Sequence, residues 1–149
     1  MDSEPVTARS LSWTYMINAN TFERAYKDTL SGYSTWEQKP HAVDWVLKPE
    51  NIGPRVGIDE TSFCHELYTI VHNKDAHGKK GSIIAIVKGV NPQDVASVLL
   101  QIPAEQRLKV ITATMDLSDC MRAIVREAFP KATAVRDCFH VIRRAGEDL

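Results

Sequence analysis

Hydrophobic and polar positions are ordered differently in the two parts of this chain. From Arg55 onward the apolar residues fall into periodic runs. These predict strands at about 55 to 59, 66 to 73 and 81 to 88, a helix at about 92 to 101, a strand at about 109 to 116, a helix at about 119 to 129 and a strand at about 133 to 137. The order is β-β-β-α-β-α-β. The segment "NKDAHGKKG" joins the second and third strands with turn residues at hairpin length, whereas helices separate the later strands, as parallel crossovers require. An α/β fold with a mixed sheet and helices packed on it is therefore expected. Asn91 followed by Pro92 is an N-cap and first-turn signature, and Val95, Val98, Leu99 and Ile102 then repeat at helical spacing as one apolar stripe. Ser118 can cap the next helix, whose stripe is Met121, Ile124, Val125 and Ala128, stopped by Pro130.

The pattern changes at "KPENIGP", where two prolines and a glycine separate unlike segments. We read residues 1–53 as a mainly helical N-terminal extension, with its first dozen residues expected to be disordered, and residues 54–149 as the core domain. The extension holds 5 basic and 7 acidic residues and scattered aromatics; the core holds 13 basic and 12 acidic. Over 149 residues the formal charge is −1, so the chain lacks the basic excess of a protein that grips nucleic acid by charge alone. Three cysteines, Cys64, Cys120 and Cys138, make no paired framework, and no apolar run reaches the roughly 20 residues of a membrane span. A reducing, cytoplasmic setting without membrane contact is the expectation.

The chemistry begins with two strands that run into acid. "RVGIDETSF" passes from Val56 and Ile58 into Asp59 and Glu60, and "KVITATMDLSD" ends its apolar pattern at Asp116. On parallel neighbouring strands, spaced about 4.8 Å apart, the two aspartates would emerge together at the carboxyl edge of the sheet, where α/β folds place their ligands. Such carboxylates repel unless a cation intervenes. Mg²⁺ (or Mn²⁺) suits them, being a hard ion commonly held by one or two carboxylates and substrate phosphates, and two ions roughly 3.5 to 4 Å apart drive phosphodiester chemistry. On residue pattern alone, Asp59 reads equally as a turn residue and Asp116 as part of a helix cap. Strand alternation turns Glu60 away from Asp59, leaving it solvated or beside the site. Asp137 and His140 follow the last strand and are either loop residues or neighbours of the site. Lys79 and Lys80 fall in a hairpin turn, as a solvated tip or a phosphate contact. Cys64, His65, His72 and His77 lack zinc-site spacing.

The ordered motifs "YKDTLSGYSTWEQKPHA", "PENIGPRVGIDETS", "ELYTIVHNKDAHGKKG", "AIVKG", "MDLS", "FPKAT" and "DCFHV" resemble the DDE transposases of the ISL-three insertion-sequence family, in particular short Bacteroidetes-type members, over about residues 20 to 143. The resemblance implies a ribonuclease H-like fold with Asp59 and Asp116 as the first and second catalytic, metal-binding aspartates, and it matches Asp137 and His140 to a "D-R-F-H" motif. The implied activity is Mg²⁺-dependent hydrolysis at transposon ends, then attack of the freed 3′ hydroxyl on target DNA. The implied partners are those DNAs and, in the full-length protein, further copies of the chain. Cys138 departs from the motif, standing where the family has an arginine that could contact phosphate. The family's third acid, a glutamate on a later helix, is not matched by Glu147 or Asp148. A zinc-binding and helix-turn-helix portion is also unmatched. The chain is accordingly expected to be truncated before the third ligand and nearly inert by itself. The alternatives are another ribonuclease H-like nuclease or resolvase, or a non-catalytic remnant that binds DNA or a partner.

Overall fold

A computed structural model describes residues 7–116 and 118–137. The chain divides into two units, residues 1–40 and 41–149. In the first, helix α1 (Ala8–Tyr15) is capped by Thr7, whose hydroxyl accepts from the Ser10 N–H. Helix α2 (Ala19–Ala25) is capped in the same way by Asn18, which accepts from the Thr21 N–H. α1 thus occupies residues 8–12 of the dozen expected to be disordered. Neither helix buries a side chain, and Trp13 and Met16 are 80% and 92% exposed. Helices this short draw little stability from their own hydrogen bonds.

The second unit is a six-stranded mixed sheet with helices. Its elements are β1 (Trp45–Leu47), β2 (Arg55–Phe63), β3 (Glu66–Asn73), β4 (Ile83–Lys88), α3 (Pro92–Leu99), α4 (Ala104–Arg107), β5 (Thr112–Met115), α5 (Asp119–Ala128) and β6 (Thr133–Arg136). The strand order is β1-β4-β3-β2-β5-β6, antiparallel from β1 to β2 and parallel for β2–β5 and β5–β6. From Arg55 onward this is the expected β-β-β-α-β-α-β succession, with the one-turn α4 added. Asn91 and Ser118 cap α3 and α5 as their positions predict. Val95, Val98 and Leu99 of α3 and Met121, Ile124, Val125 and Ala128 of α5 join Val56, Ile58, Val71, Ala113 and Met115 of the sheet in one buried cluster. Among the described residues, no helix is long and apolar enough to cross a membrane.

Two features depart from the pattern reading. β1 lies in the stretch read as the extension, and its three residues are held by pairing with β4, Trp45 opposite Val87 and Leu47 opposite Ala85. The first core strand does not stop at Asp59. Its parallel partner β5 ends at the Ile58–Met115 pair, but antiparallel pairing with β3 continues from Asp59–Ile70 to Phe63–Glu66. Backbone pairing to one neighbour carries the strand past the end of its apolar alternation.

The β2–β3 hairpin closes on Cys64 and His65, both with positive φ, 52° and 65°. A two-residue turn of this hand suits Asn-Gly, and a side chain in the left-handed region costs roughly 1–2 kcal/mol. His65→Gly is expected to stabilise the unit by about 0.5–1 kcal/mol after the glycine entropy cost, read as a higher denaturation midpoint.

Candidate active site

The carboxyl edge of the parallel strands is set by register. Gly57 pairs with Thr114 and Ile58 with Met115, so Asp59 and Asp116 occupy the next lateral position on β2 and β5. Met115 pairs with Arg136, and the Asp137 N–H donates to the Met115 carbonyl at 2.9 Å, which puts Asp137 at the same level beyond β6. Three successive strands therefore each place an aspartate at this level. Strand alternation assigns Asp59, Gly57, His72, Ile70 and Thr114 to one face of the sheet and the Val56–Ile58 core to the other.

One of the two central carboxylates is held by a hydrogen bond, and the other has a histidine nearby. Asp116 Oδ1 accepts from the Ser118 N–H at 2.7 Å, a local turn that also sets up the cap of α5. Asp59 Oδ2 stands 3.5 Å from His72 Nδ1 on β3, with the aspartate side chain 48% exposed and the histidine 29%. The other oxygens, Asp59 Oδ1 and Asp116 Oδ2, have no hydrogen-bond partner among the described residues. Carboxylates with free oxygens are the donor type that a hard, hydrated cation takes. Among the described residues, no three His, Cys, Asp or Glu side chains gather as a ready metal cluster.

The remaining candidates are dispersed. Glu60 pairs with buried Thr69 and so takes the helix-side face, where it is exposed. Lys79 and Lys80 are exposed in the β3–β4 connection. Because β3 runs antiparallel to β2, that connection lies at the opposite end of the sheet from Asp59, and the two lysines do not join the site. His140 and Cys138 lie outside the described residues, as do Glu147 and Asp148.

His72 is the neighbour that sequence reasoning missed. Its signal was Gly57, a glycine inside a strand, which marks a close approach. A Cβ on Gly57 would overlap Cε1 and Nε2 of the His72 ring, so the ring lies across the glycine and reaches along the strand to Asp59. Nearer the hairpin tip, the Lys88 ammonium donates to Glu66 at 2.6 Å. That hydrogen bond holds the Glu66 carboxyl below the usual carboxylate range and raises Lys88. A lowered carboxyl contributes stability above its unfolded pKa and loses it as pH falls through the folded value; at this exposed pair the contribution is small.

No curated protein matches the sequence. Among solved structures, the catalytic core domain of BIV integrase is similar at 19% identity and a TM-score of 0.43, the match covering 64% of this chain and 65% of that one. This chain therefore spans somewhat less than two thirds of that structure's length. The sequence profile of the ISL-three-type DDE family, described as "Transposase", matches residues 56–149, which take in β2 through β6 and both central aspartates. By that match the chain belongs to the ISL-three-type DDE transposases, with the mixed six-stranded α/β sheet described above.

Proposed function

We propose that this chain is the catalytic core of a DNA transposase that uses Mg²⁺ or Mn²⁺ to hydrolyse phosphodiesters at transposon ends and to join the freed 3′ hydroxyl to target DNA. The observation that carries this reading is the parallel register of β2 and β5, which makes Asp59 and Asp116 lateral neighbours at the carboxyl edge of the sheet. Family membership supports the choice of phosphodiester chemistry among those such an edge could host. Asp59 and Asp116 would hold the cation, Asp116 with one oxygen tethered by the Ser118 N–H and Asp59 with His72 nearby. When bound, the ion supplies charge stabilisation to a phosphoryl group and activates the attacking oxygen.

The chain's own groups do the orienting. The Ser118 N–H fixes one Asp116 oxygen and leaves the other without a partner among the described residues. Two carboxylates suffice for one hydrated ion, whereas a two-ion site needs more carboxylate oxygen, and among the described residues no third acid joins them as a ready cluster. The chain alone is therefore expected to cleave DNA poorly. A cytoplasmic setting suits the free thiols of Cys64 and Cys120, and pairing of two transposon ends calls for a homo-oligomer in the whole protein.

The test is strand transfer with pre-cleaved transposon ends, Mg²⁺ or Mn²⁺ and a transposase containing this chain. Asp59→Asn and Asp116→Asn should each reduce joining to background, and retained joining in both would sink the reading. DNA binding by the chain itself is expected to be weak and indifferent to sequence. At a net charge of −1 it should fall at the weak end of non-specific association, with Kd about 10⁻⁴ M at physiological salt. A gel-shift titration against end and scrambled duplexes checks this, and selective micromolar binding would contradict it.

A further inference from the structure

Resting on that reading of Asp59, we infer that His72 is a positioning residue, seated by Gly57, which holds one Asp59 oxygen so that the other faces the cation. Three observations converge. The ring occupies the space a side chain at position 57 would take, so its place is built into the strand and is not one of many exposed rotamers. Nδ1 is the ring atom directed at Asp59, 3.5 Å from Oδ2. A register irregularity between Val71 and His72 in the β3–β4 pairing adjusts the backbone at this residue, and such irregularities re-aim side chains beside functional sites.

The role follows from the symmetry of the pair. Asp116 is tethered through Oδ1 by a backbone N–H, which keeps its direction fixed. Asp59 is on a strand that continues to Phe63 with no parallel neighbour alongside, so its carboxylate has no equivalent backbone donor among the described contacts. His72 stands where that donor would sit, its Nδ1 3.5 Å from Asp59 Oδ2, and an Nδ1–H there would orient the carboxylate. Partners of this kind orient the carboxylates that bind metal, and losing one typically weakens metal affinity 10- to 100-fold. Gly57 belongs to the same device, because any larger residue would evict the ring.

The experiment measures Mn²⁺ affinity of the chain by calorimetry, independently of any DNA reaction. His72→Phe, which keeps a ring but no donor, and Gly57→Ala, which keeps the donor but displaces it, are each expected to weaken Mn²⁺ about 10-fold. His72→Gln, with an amide N–H, should recover part of that loss. Nitrogen-15 spectra of the wild-type imidazole should show the proton on Nδ1 of His72, with a signal that shifts in Asp59→Asn. This readout holds even if the Phe or Ala variant does not fold. Wild-type Mn²⁺ affinity in folded His72→Phe, or a His72 ring protonated on Nε2 alone, overturns the inference while leaving the metal site intact. Undiminished Mn²⁺ binding in Asp59→Asn overturns both, so the two failures are distinguishable.

Discussion

Asp59→Asn and Asp116→Asn are each expected to remove Mn²⁺ binding while leaving the fold in place. The argument is electrostatic. Each substitution keeps size and shape and deletes one of two negative charges at lateral positions of a parallel pair. Losing a ligand should cost more than losing an orienting neighbour, so the affinity drop should exceed about 100-fold. The fold should survive, because an asparagine oxygen at position 116 still accepts from the Ser118 N–H and position 59 is half exposed. Without metal the direction reverses: removing one of two like charges relieves repulsion, and both variants should melt at or slightly above the wild-type temperature. Calorimetric titration paired with thermal unfolding in a chelator separates these effects. Full Mn²⁺ affinity in Asp116→Asn would show that the two aspartates do not act as a pair.

Phe129→Ala is expected to destabilise the second unit by about 3–5 kcal/mol, the range for truncating a fully buried aromatic side chain. Phe129 has no exposed surface, follows α5 directly and is among the largest fully buried side chains of the core. Its surroundings are braced. The Phe129 N–H donates to the Val125 carbonyl at 2.8 Å, and the Arg107 guanidinium donates to the Ala128 and Ile102 carbonyls at 2.8 and 2.9 Å. A pocket so enclosed cannot collapse cheaply around a missing ring. Since domains are stable by only about 5–15 kcal/mol, the variant should be partly unfolded at 37 °C. Urea unfolding measures the loss, and a change below about 1 kcal/mol would mean that the ring is not packed as described.

The legible part of this protein was the part written in periodicity. The alternations of β2 to β4 and the stripes of α3 and α5 fall in sequence windows that each identify their own element, and Asn91 and Ser118 mark the helix starts where they occur. Asp59 and Asp116 were legible as acids that interrupt apolar strands. What pattern could not supply was pairing. β1 is too short to show a period and exists because β4 offers it an edge. β2 outlasts its hydrophobic run because β3 accompanies it to the hairpin. The same limit applies at the site. Lys79 and Lys80 read as a solvated tip or a phosphate contact, and only antiparallel pairing sends their turn to the far end of the sheet; His72 looks incidental until register puts it across Gly57.

The ladder that joins β2 to β5 also sets when the aspartate pair comes into being. β2, β3 and β4 form a meander whose partners are neighbours in sequence, so its closure entropy is small and its contacts can form early. Asp116 meets Asp59 only after α3 and α4 have been crossed and β5 has docked in parallel, the non-local step of the topology. On a growing chain, the meander with Asp59 and His72 can close while the second aspartate is still unplaced. Opening of the β2–β5 pair alone would separate the two aspartates without breaking the antiparallel β2–β3 pairing. On the proposed reading, cation binding would therefore report on whether β5 is docked against β2.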